Sequence, residues 1–141
     1  MTTINPYLTF DGTCDAAFEH YKSVFGGEFT MKMRMKDSPD ADKLPAGAGE
    51  MIMHVGLPIG GGTVLMGSDA VEGCGPPLIV GTNFSVAVSP DNEADTRKIF
   101  DGLAAGGTVA MPLQKVFWGE LFGMLVDKFG IQWMVNYDKK K

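Results

Sequence analysis

His54 is the residue of this chain best suited to acid–base chemistry. The pKa of an ordinary imidazole lies near neutral pH, so His54 could donate or accept a proton in a reaction. A hydrogen-bonded histidine inside a sheet explains the same residue equally well. Tyr7 and Trp118 could stack on a planar ligand, although Trp118 also suits packing in a core or at a dimer contact. With two histidines and two distant cysteines, Cys14 and Cys74, the sequence predicts neither a Ser-His-Asp nor a Cys-His arrangement.

The composition is that of one soluble globular domain spanning residues 1–141. Hydrophobic residues make up 45% of the chain and charged residues 21%, and the net charge of −5 favours neither nucleic acid nor a membrane surface as a partner. No apolar run approaches the roughly 20 residues that span a bilayer, and no signal-peptide pattern opens the sequence. Cys14 and Cys74 lack metal-ligand spacing, so we expect free thiols and a cytoplasmic location.

The first half of the chain predicts one helix and four strands. A short strand, 7–10, precedes a helix over 13–25, with Thr13 or Asp15 as N-cap and Gly26-Gly27 as the stop. Alternation of methionine with lysine and arginine predicts a strand over 28–36. A polar loop over 37–50 follows, and then a hairpin formed by 51–57 and 63–66 around a glycine turn.

The second half repeats that order. A strand over 83–88 leads to a helix that starts at Ser89-Pro90 and stops at Gly106-Gly107. A strand through Val109 and Met111 follows. The chain closes with a hairpin whose strands, 122–126 and 131–135, flank the turn 127–130. The sequence therefore predicts an α+β fold of two βαβββ modules, one over about 1–80 and the other over about 81–141.

Side-chain alternation divides the predicted strands into an apolar face for the helices and a more polar face. We expect the apolar face to carry Leu8 and Phe10; Met51, Met53, Val55 and Leu57; Phe84, Val86 and Val88; and Ile131, Trp133 and Val135. The opposite face would carry Asn5, Tyr7 and Thr9; Ile52, His54 and Gly56; Asn83, Ser85 and Ala87; and Gln132, Met134 and Asn136. Sheets that curve away from their helices would gather these residues into a ligand cavity.

Four segments of the chain resemble the PhnB-like branch of the vicinal-oxygen-chelate superfamily, which includes glyoxalases, bleomycin-resistance proteins and dioxygenases. They are Pro6–Phe10, Ala17–Gly27, His54 followed by Leu65–Asp69, and Trp118–Asn136, of which the last is the most specific. This resemblance implies two βαβββ modules in a half-open eight-stranded cup, with the helices on the outer face, and a homodimer. Some relatives carry a methyltransferase label, but the chain lacks the glycine-rich nucleotide turn of that fold.

Enzymes of this superfamily commonly hold a divalent metal with histidine and glutamate side chains. The resemblance places those ligands here at Asn5, at Asn83, at Leu65 or Met66, and at Met134. Amides and thioethers are poor ligands for such a cation. We therefore expect no metal site of the usual kind and no cofactor.

Three hypotheses follow, and the sequence does not decide between them. The favoured one is a protein that binds a small polar molecule without the usual metal. It uses His54 as the candidate catalytic residue and Asn5, Tyr7, Asn83, Ser85, Trp118, Gln132 and Met134 as candidate ligand-binding residues. The second is a metal-dependent lyase, isomerase or dioxygenase with a non-standard ligand set such as His54 with Asp69 or Glu120, for which Asp127 is a further carboxylate candidate. Asp69 and Asp127 also suit turns. The third is a dimeric scaffold with a vestigial cup.

Overall fold

The chain folds as two compact units, Met1–Ile79 and Val80–Lys141. The computed structural model describes residues 2–39, 41–71, 75 and 77–138, so Cys74 and Asp40 lie outside the described residues. Each unit holds one helix and four strands in the order strand, helix, three strands. The α+β class and the duplicated βαβββ order that the sequence predicts are therefore confirmed.

The first unit is an open mixed sheet with one helix. Its elements are β1 (Tyr7–Phe10), α1 (Cys14–Phe25), β2 (Met31–Arg34), β3 (Ile52–Gly60) and β4 (Thr63–Asp69). The strand order is β1-β4-β3-β2, with β1 parallel to β4 and the other pairs antiparallel. Three short 3₁₀ turns interrupt the connection between β2 and β3, where the sequence predicts only a loop.

The second unit repeats this topology. Its elements are β5 (Val86–Val88), α2 (Glu93–Ala104), β6 (Thr108–Val116), β7 (Gly119–Val126) and β8 (Gln132–Tyr137). The strand order is β5-β8-β7-β6, with β5 parallel to β8. Since β5 begins only at Val86, Asn83 and Ser85 precede the strand on which the sequence places them.

A glycine beneath a helix phenylalanine brings each helix close to its sheet. A Cβ atom on Gly67 of β4 would lie 2.7 Å from the Phe18 ring of α1, and a Cβ on Gly123 of β7 would lie 2.7 Å from the Phe100 ring of α2. Real Cβ atoms do not approach so closely, so both positions need a residue without a side chain. In both units a helix phenylalanine thus packs directly against a glycine of the sheet.

Alternation predicts the core correctly where strands are regular. Leu8 and Phe10 on β1, and Trp133 and Val135 on β8, are buried as expected. The prediction for β3 is wrong at two positions: Met53, expected on the apolar face, is 41% exposed, and Ile52, expected on the opposite face, is fully buried. The register shifts between Met33 and Arg34, which pair with His54 and Ile52, so Met53 is an extra residue that reverses the alternation.

Two further predictions about local structure are wrong. Phe84 is 61% exposed rather than helix-facing, because it lies before the first paired residue of β5. The second helix starts at Glu93 with Asn92 as its N-cap, and not at Ser89-Pro90; the Asn92 side chain accepts a hydrogen bond from the Asp95 amide. Neither helix in the described ranges has the length and apolar character that a membrane crossing requires.

Candidate functional site

Tyr7 and His54 lie side by side on the face of the first sheet opposite α1, which we call the first far face. The Tyr7 hydroxyl is 3.5 Å from His54 Nδ1, and the two ring centroids are 5.7 Å apart. Tyr7 is 47% exposed and His54 is half-buried. The topology brings them together, because β1 and β3 flank the same strand, β4. Both groups can donate and accept hydrogen bonds, so the pair offers a polar ligand two adjacent contacts.

Methionines surround this pair on the first far face. Met33 is the direct cross-strand partner of His54, and Met66 is the partner of Tyr7. Met31 and Met66 pair with the same residue, Gly56, from its two sides. Thioether side chains adapt their shape easily and therefore suit the apolar part of a binding surface.

Asn5 has a structural contact in this unit. Its Oδ1 accepts a hydrogen bond of 2.9 Å from the Val64 amide, next to the start of β4. The side chain thus joins the segment before β1 to β4. Its carbonyl oxygen already has a partner, and a role in ligand binding stays a prediction.

Asp69 serves the helix side of the first sheet and not the far face. Its carboxylate accepts hydrogen bonds of 2.9 Å from the Cys14 amide and from the Ile52 amide, and the residue is 5% exposed. It therefore connects α1 and β3 to the end of β4. The interpretation that Asp69 closes a turn is wrong. Both oxygens are engaged away from the face that carries His54.

The Cys14 thiol is buried beside this carboxylate. Burial, together with the negative charges of Asp69 and Asp15, raises its pKa far above the ordinary value. A thiol of this kind stays protonated and is a poor nucleophile. The free state of Cys14 agrees with the sequence prediction.

In the second unit the candidate residues lie on or near the face of the sheet opposite α2, the second far face. Gln132 and Met134 are half-buried on β8, and Met134 pairs with Ala87. The Gln132 side-chain amide donates a 2.6 Å hydrogen bond to the Phe84 carbonyl. This contact fixes the segment before β5, in which Asn83 is exposed and Ser85 is half-buried.

Trp118 lies in the connection between β6 and β7. It is 52% exposed, and its ring contacts those of Phe117, at a centroid distance of 4.8 Å, and Phe122, at 5.4 Å. Phe122 is buried, whereas Phe117 is 96% exposed. A half-exposed indole held at its edge by two rings can present a flat surface to a ligand.

Asn136 lies on the polar face that the alternation predicts, but it is not among the candidate ligand-binding residues that the sequence indicates. Within the described residues its Oδ1 is buried and has no hydrogen-bond partner. It pairs with Phe122 on the second far face, two residues beyond Met134. An unpaired buried carbonyl oxygen is unfavourable unless a donor reaches it. The alternation along β8 predicts this position beside Gln132 and Met134. The buried oxygen without a partner among the described residues is the feature that the sequence does not show.

Asp127 closes the β7–β8 turn, as the sequence suggests. Its Oδ1 accepts hydrogen bonds from the Phe129 and Ile131 amides, and its Oδ2 accepts one of 2.8 Å from the Trp133 indole. The residue is 3% exposed. The carboxylate is thus part of the core, and Glu120, a half-buried residue of β7, is the remaining carboxylate candidate of this unit.

Comparison with known proteins identifies the family. Residues 3–135 match the model of the Glyoxalase/Bleomycin resistance protein/Dioxygenase superfamily. The chain belongs to this superfamily. It is 32% identical to Protein YjdN of Escherichia coli, over 98% of this chain and 97% of that protein.

Solved structures agree with this membership. Protein PA1353 from Pseudomonas aeruginosa is 37% identical, with a TM-score of 0.87 over 98% of each chain. A PhnB protein from Bacillus cereus, described as a putative 3-demethylubiquinone-9 3-methyltransferase, shares the fold at 23% identity, with a TM-score of 0.75 over 96% of this chain and 99% of that chain. Both structures show that the chain has the fold of these proteins.

The residues at the superfamily's metal-ligand positions do not fit a divalent cation in this chain. Asn5 already accepts the Val64 amide proton, and Met66 and Met134 offer thioethers, which hard cations bind poorly. Among the described residues no group of three or more His, Cys, Asp or Glu side chains could hold a metal. We therefore derive no reaction step through a divalent metal.

Proposed function

We propose that this chain binds a small polar molecule on the far face of a sheet, above all on the first far face, without the divalent metal of its superfamily. The observation that carries the proposal is the Tyr7–His54 pair. A hydroxyl and an imidazole nitrogen lie 3.5 Å apart on the face of the sheet opposite α1.

The chemistry of the pair favours a ligand with both hydrogen-bond donors and acceptors. His54 uses one ring nitrogen toward Tyr7, which leaves Nε2 for the ligand. At neutral pH an imidazole can also take up or release a proton, so His54 is the residue that would act as general acid or base if the ligand reacts. The half-exposed Tyr7 ring and the neighbouring thioethers would contact the apolar part of the molecule.

The second far face supplies the remaining candidates. Trp118 would stack on a planar group, and Gln132 and Met134 would line the surface beside it. Asn83 and Ser85 would approach from the segment before β5. In the first unit, Asn5 would contact a ligand of the first far face from the segment before β1. These assignments rest on residue type and on strand register, and each is a proposal of its own.

A titration monitored by NMR tests the proposal. A panel of small molecules with hydroxyl, amide, carboxylate and amine groups is added to ¹⁵N-labelled, tag-free protein. We expect at least one compound to shift the amide signals of Tyr7 and His54, and His54→Ala or Tyr7→Phe to weaken its binding. His20→Gln on α1 and Tyr137→Phe on β8 are the matched controls, and both should leave the affinity unchanged.

Three results would contradict the proposal. Shifts confined to residues outside the two far faces would place the ligand elsewhere. Equal affinity of the wild type and of His54→Ala would favour the scaffold hypothesis. Binding that appears only after a divalent metal is added, and is lost with chelator, would favour the metal-dependent enzyme.

The assembly and location of the chain also stay proposals. We propose a homodimer in the cytoplasm, as the family resemblance and the composition predict. Light scattering after size-exclusion chromatography measures the mass of the assembly, and a mass near that of one chain would contradict the dimer.

A further inference from the structure

Six of the ten methionines lie between residues 31 and 66, in the unit that also contains both histidines. The register places Met33 directly opposite His54 across the β2–β3 pair. In the adjacent row, Met31 and Met66 face each other across Gly56, which has no side chain to separate them. His54 is thus surrounded by thioethers on one face of one sheet.

Distances within a sheet allow these groups to converge on one atom. Directly opposite residues have Cβ atoms about 4.5–5.5 Å apart, and diagonal neighbours about 7–8 Å apart. A methionine side chain has three rotatable bonds, so its sulfur can move by that much toward a shared ligand. The Tyr7 hydroxyl lies at His54 Nδ1, which leaves Nε2 as the nitrogen that can bind a metal.

We propose that His54 and Met33, together with Met31 or Met66, bind a soft monovalent cation, Cu(I). Thioether sulfur selects a soft ion such as Cu(I), and imidazole nitrogen also binds copper, whereas Mg²⁺, Ca²⁺ and Mn²⁺ prefer oxygen ligands. The Tyr7 hydroxyl orients the imidazole from its other nitrogen, as partners of metal-bound histidines commonly do. This proposal does not depend on the proposed function, because it concerns a metal that binds without an organic ligand.

The second sheet provides an internal comparison. Met111, Met124 and Met134 are consecutive cross-strand partners there, so three thioethers also lie in one row. The second unit contains no histidine in its sequence. If thioethers alone were enough, both sheets would bind the metal; the proposal requires binding only at His54.

The test is an anaerobic titration of Cu(I) into the full chain in competition with the chromophoric chelator bicinchoninate. Because thiolates also bind Cu(I), the chain carries Cys74→Ser. We expect one equivalent to bind, with affinity reduced about tenfold or more by His54→Ala and by Met33→Leu, and by a similar factor in Tyr7→Phe. Met124→Leu in the second sheet is the matched control and should change nothing. Methionine and leucine have similar volumes, so these variants keep the fold, which circular dichroism checks.

X-ray absorption at the copper edge identifies the ligands. Sulfur and nitrogen neighbours in the parent chain, with nitrogen lost in His54→Gln and sulfur reduced in Met33→Leu, would support the proposed site. Absence of tight binding, full affinity in folded His54→Gln, or loss of affinity in Met124→Leu would each overturn it. The binding of organic ligands is measured separately, without copper. Absence of copper binding would therefore overturn the copper site but not the proposed function.

Discussion

The two βαβββ units begin their helices in different ways. In the first unit the α1 amide of Cys14 donates to Asp69, a residue 55 positions away on β4, and the Thr13 side chain makes no cap hydrogen bond to the described residues. In the second unit Asn92 caps α2 locally through the Asp95 amide. The first helix is therefore fixed to its sheet by a buried carboxylate, while the second has a cap that its own sequence supplies.

The far faces differ as well. The first carries His54 and the Tyr7 hydroxyl, whereas the second carries amides, thioethers and an indole. The two units share one fold and the same close packing of helix on sheet, but the side chains that face away from the helices differ.

Removal of the Asp69 carboxylate is the strongest test of the difference between the two helix starts. We expect Asp69→Ala to lower the free energy of unfolding by about 2–4 kcal/mol, because it leaves the buried Cys14 and Ile52 amides without acceptors. Urea denaturation followed by circular dichroism measures the loss. Asp91→Ala, at an exposed loop position, is the control, and equal effects of the two variants would show that Asp69 has no special role.

Substitution of the glycines beneath the helices tests the close helix–sheet packing that the two units share. Gly67→Ala should cost about 1–3 kcal/mol, because the new methyl group would overlap the Phe18 ring and the Leu8 carbonyl. Gly123→Ala should cost a similar amount against Phe100. Thermal unfolding of both variants, with Gly61→Ala in the exposed β3–β4 turn as a control for a strained glycine without close neighbours, provides the comparison. A neutral Gly67→Ala would mean that α1 can move away from its sheet at no cost.

Strand alternation predicts buried residues only where the strands are regular. Alternation along β1 and β8 predicted which residues are buried, because regular strands have a fixed period. It was wrong at Met53, where a bulge adds one residue, and at Phe84, which lies before the paired part of β5. Neither departure has a local signal in the sequence.

Long-range contacts also limited how much of the candidate site could be predicted from the sequence. The sequence placed Tyr7 and His54 on the same polar face, but their contact depends on β4 lying between β1 and β3. The partners of Asp69 and Asn5 are likewise set by the topology, so their structural roles could not be derived from local patterns. The turn role of Asp127 could, since its two amide partners are within four residues.

The local cap of α2 should contribute less than the long-range carboxylate of α1. Asn92→Ala is expected to lower the free energy of unfolding by about 1 kcal/mol, the usual contribution of an N-cap side chain. Asn92→Ser should recover most of that loss, because serine also caps well. A loss in Asn92→Ala as large as that in Asp69→Ala would show that the two helix starts are equivalent in energy.

The ion pairs between α1 and β2 should contribute the least to the free energy of unfolding. Asp15 accepts contacts of 2.6 Å from Lys32 and 2.8 Å from Arg34, two side chains of β2. The hydrogen bond from Lys32 is the main cause that lowers the pKa of Asp15 below its ordinary value of 3.8, and Arg34 adds to it. The side chain is 39% exposed, so water screens the pairs and their contribution is about 1 kcal/mol or less.

The lowered pKa determines how this contribution depends on pH. A carboxylate whose pKa is lower in the folded state stabilises the protein above its unfolded-state pKa, and this stabilisation is lost as the pH falls through the folded-state pKa. Asp15→Asn should therefore reduce the free energy of unfolding at about pH 7, and the difference from wild type should vanish as the pH falls through the folded-state pKa of Asp15. Glu93→Gln, which removes an exposed pair with Arg97 within α2, is the control from the second unit and should cost about 0.5 kcal/mol or less. A difference for Asp15→Asn that persists in acid would mean that packing, and not charge, joins α1 to β2.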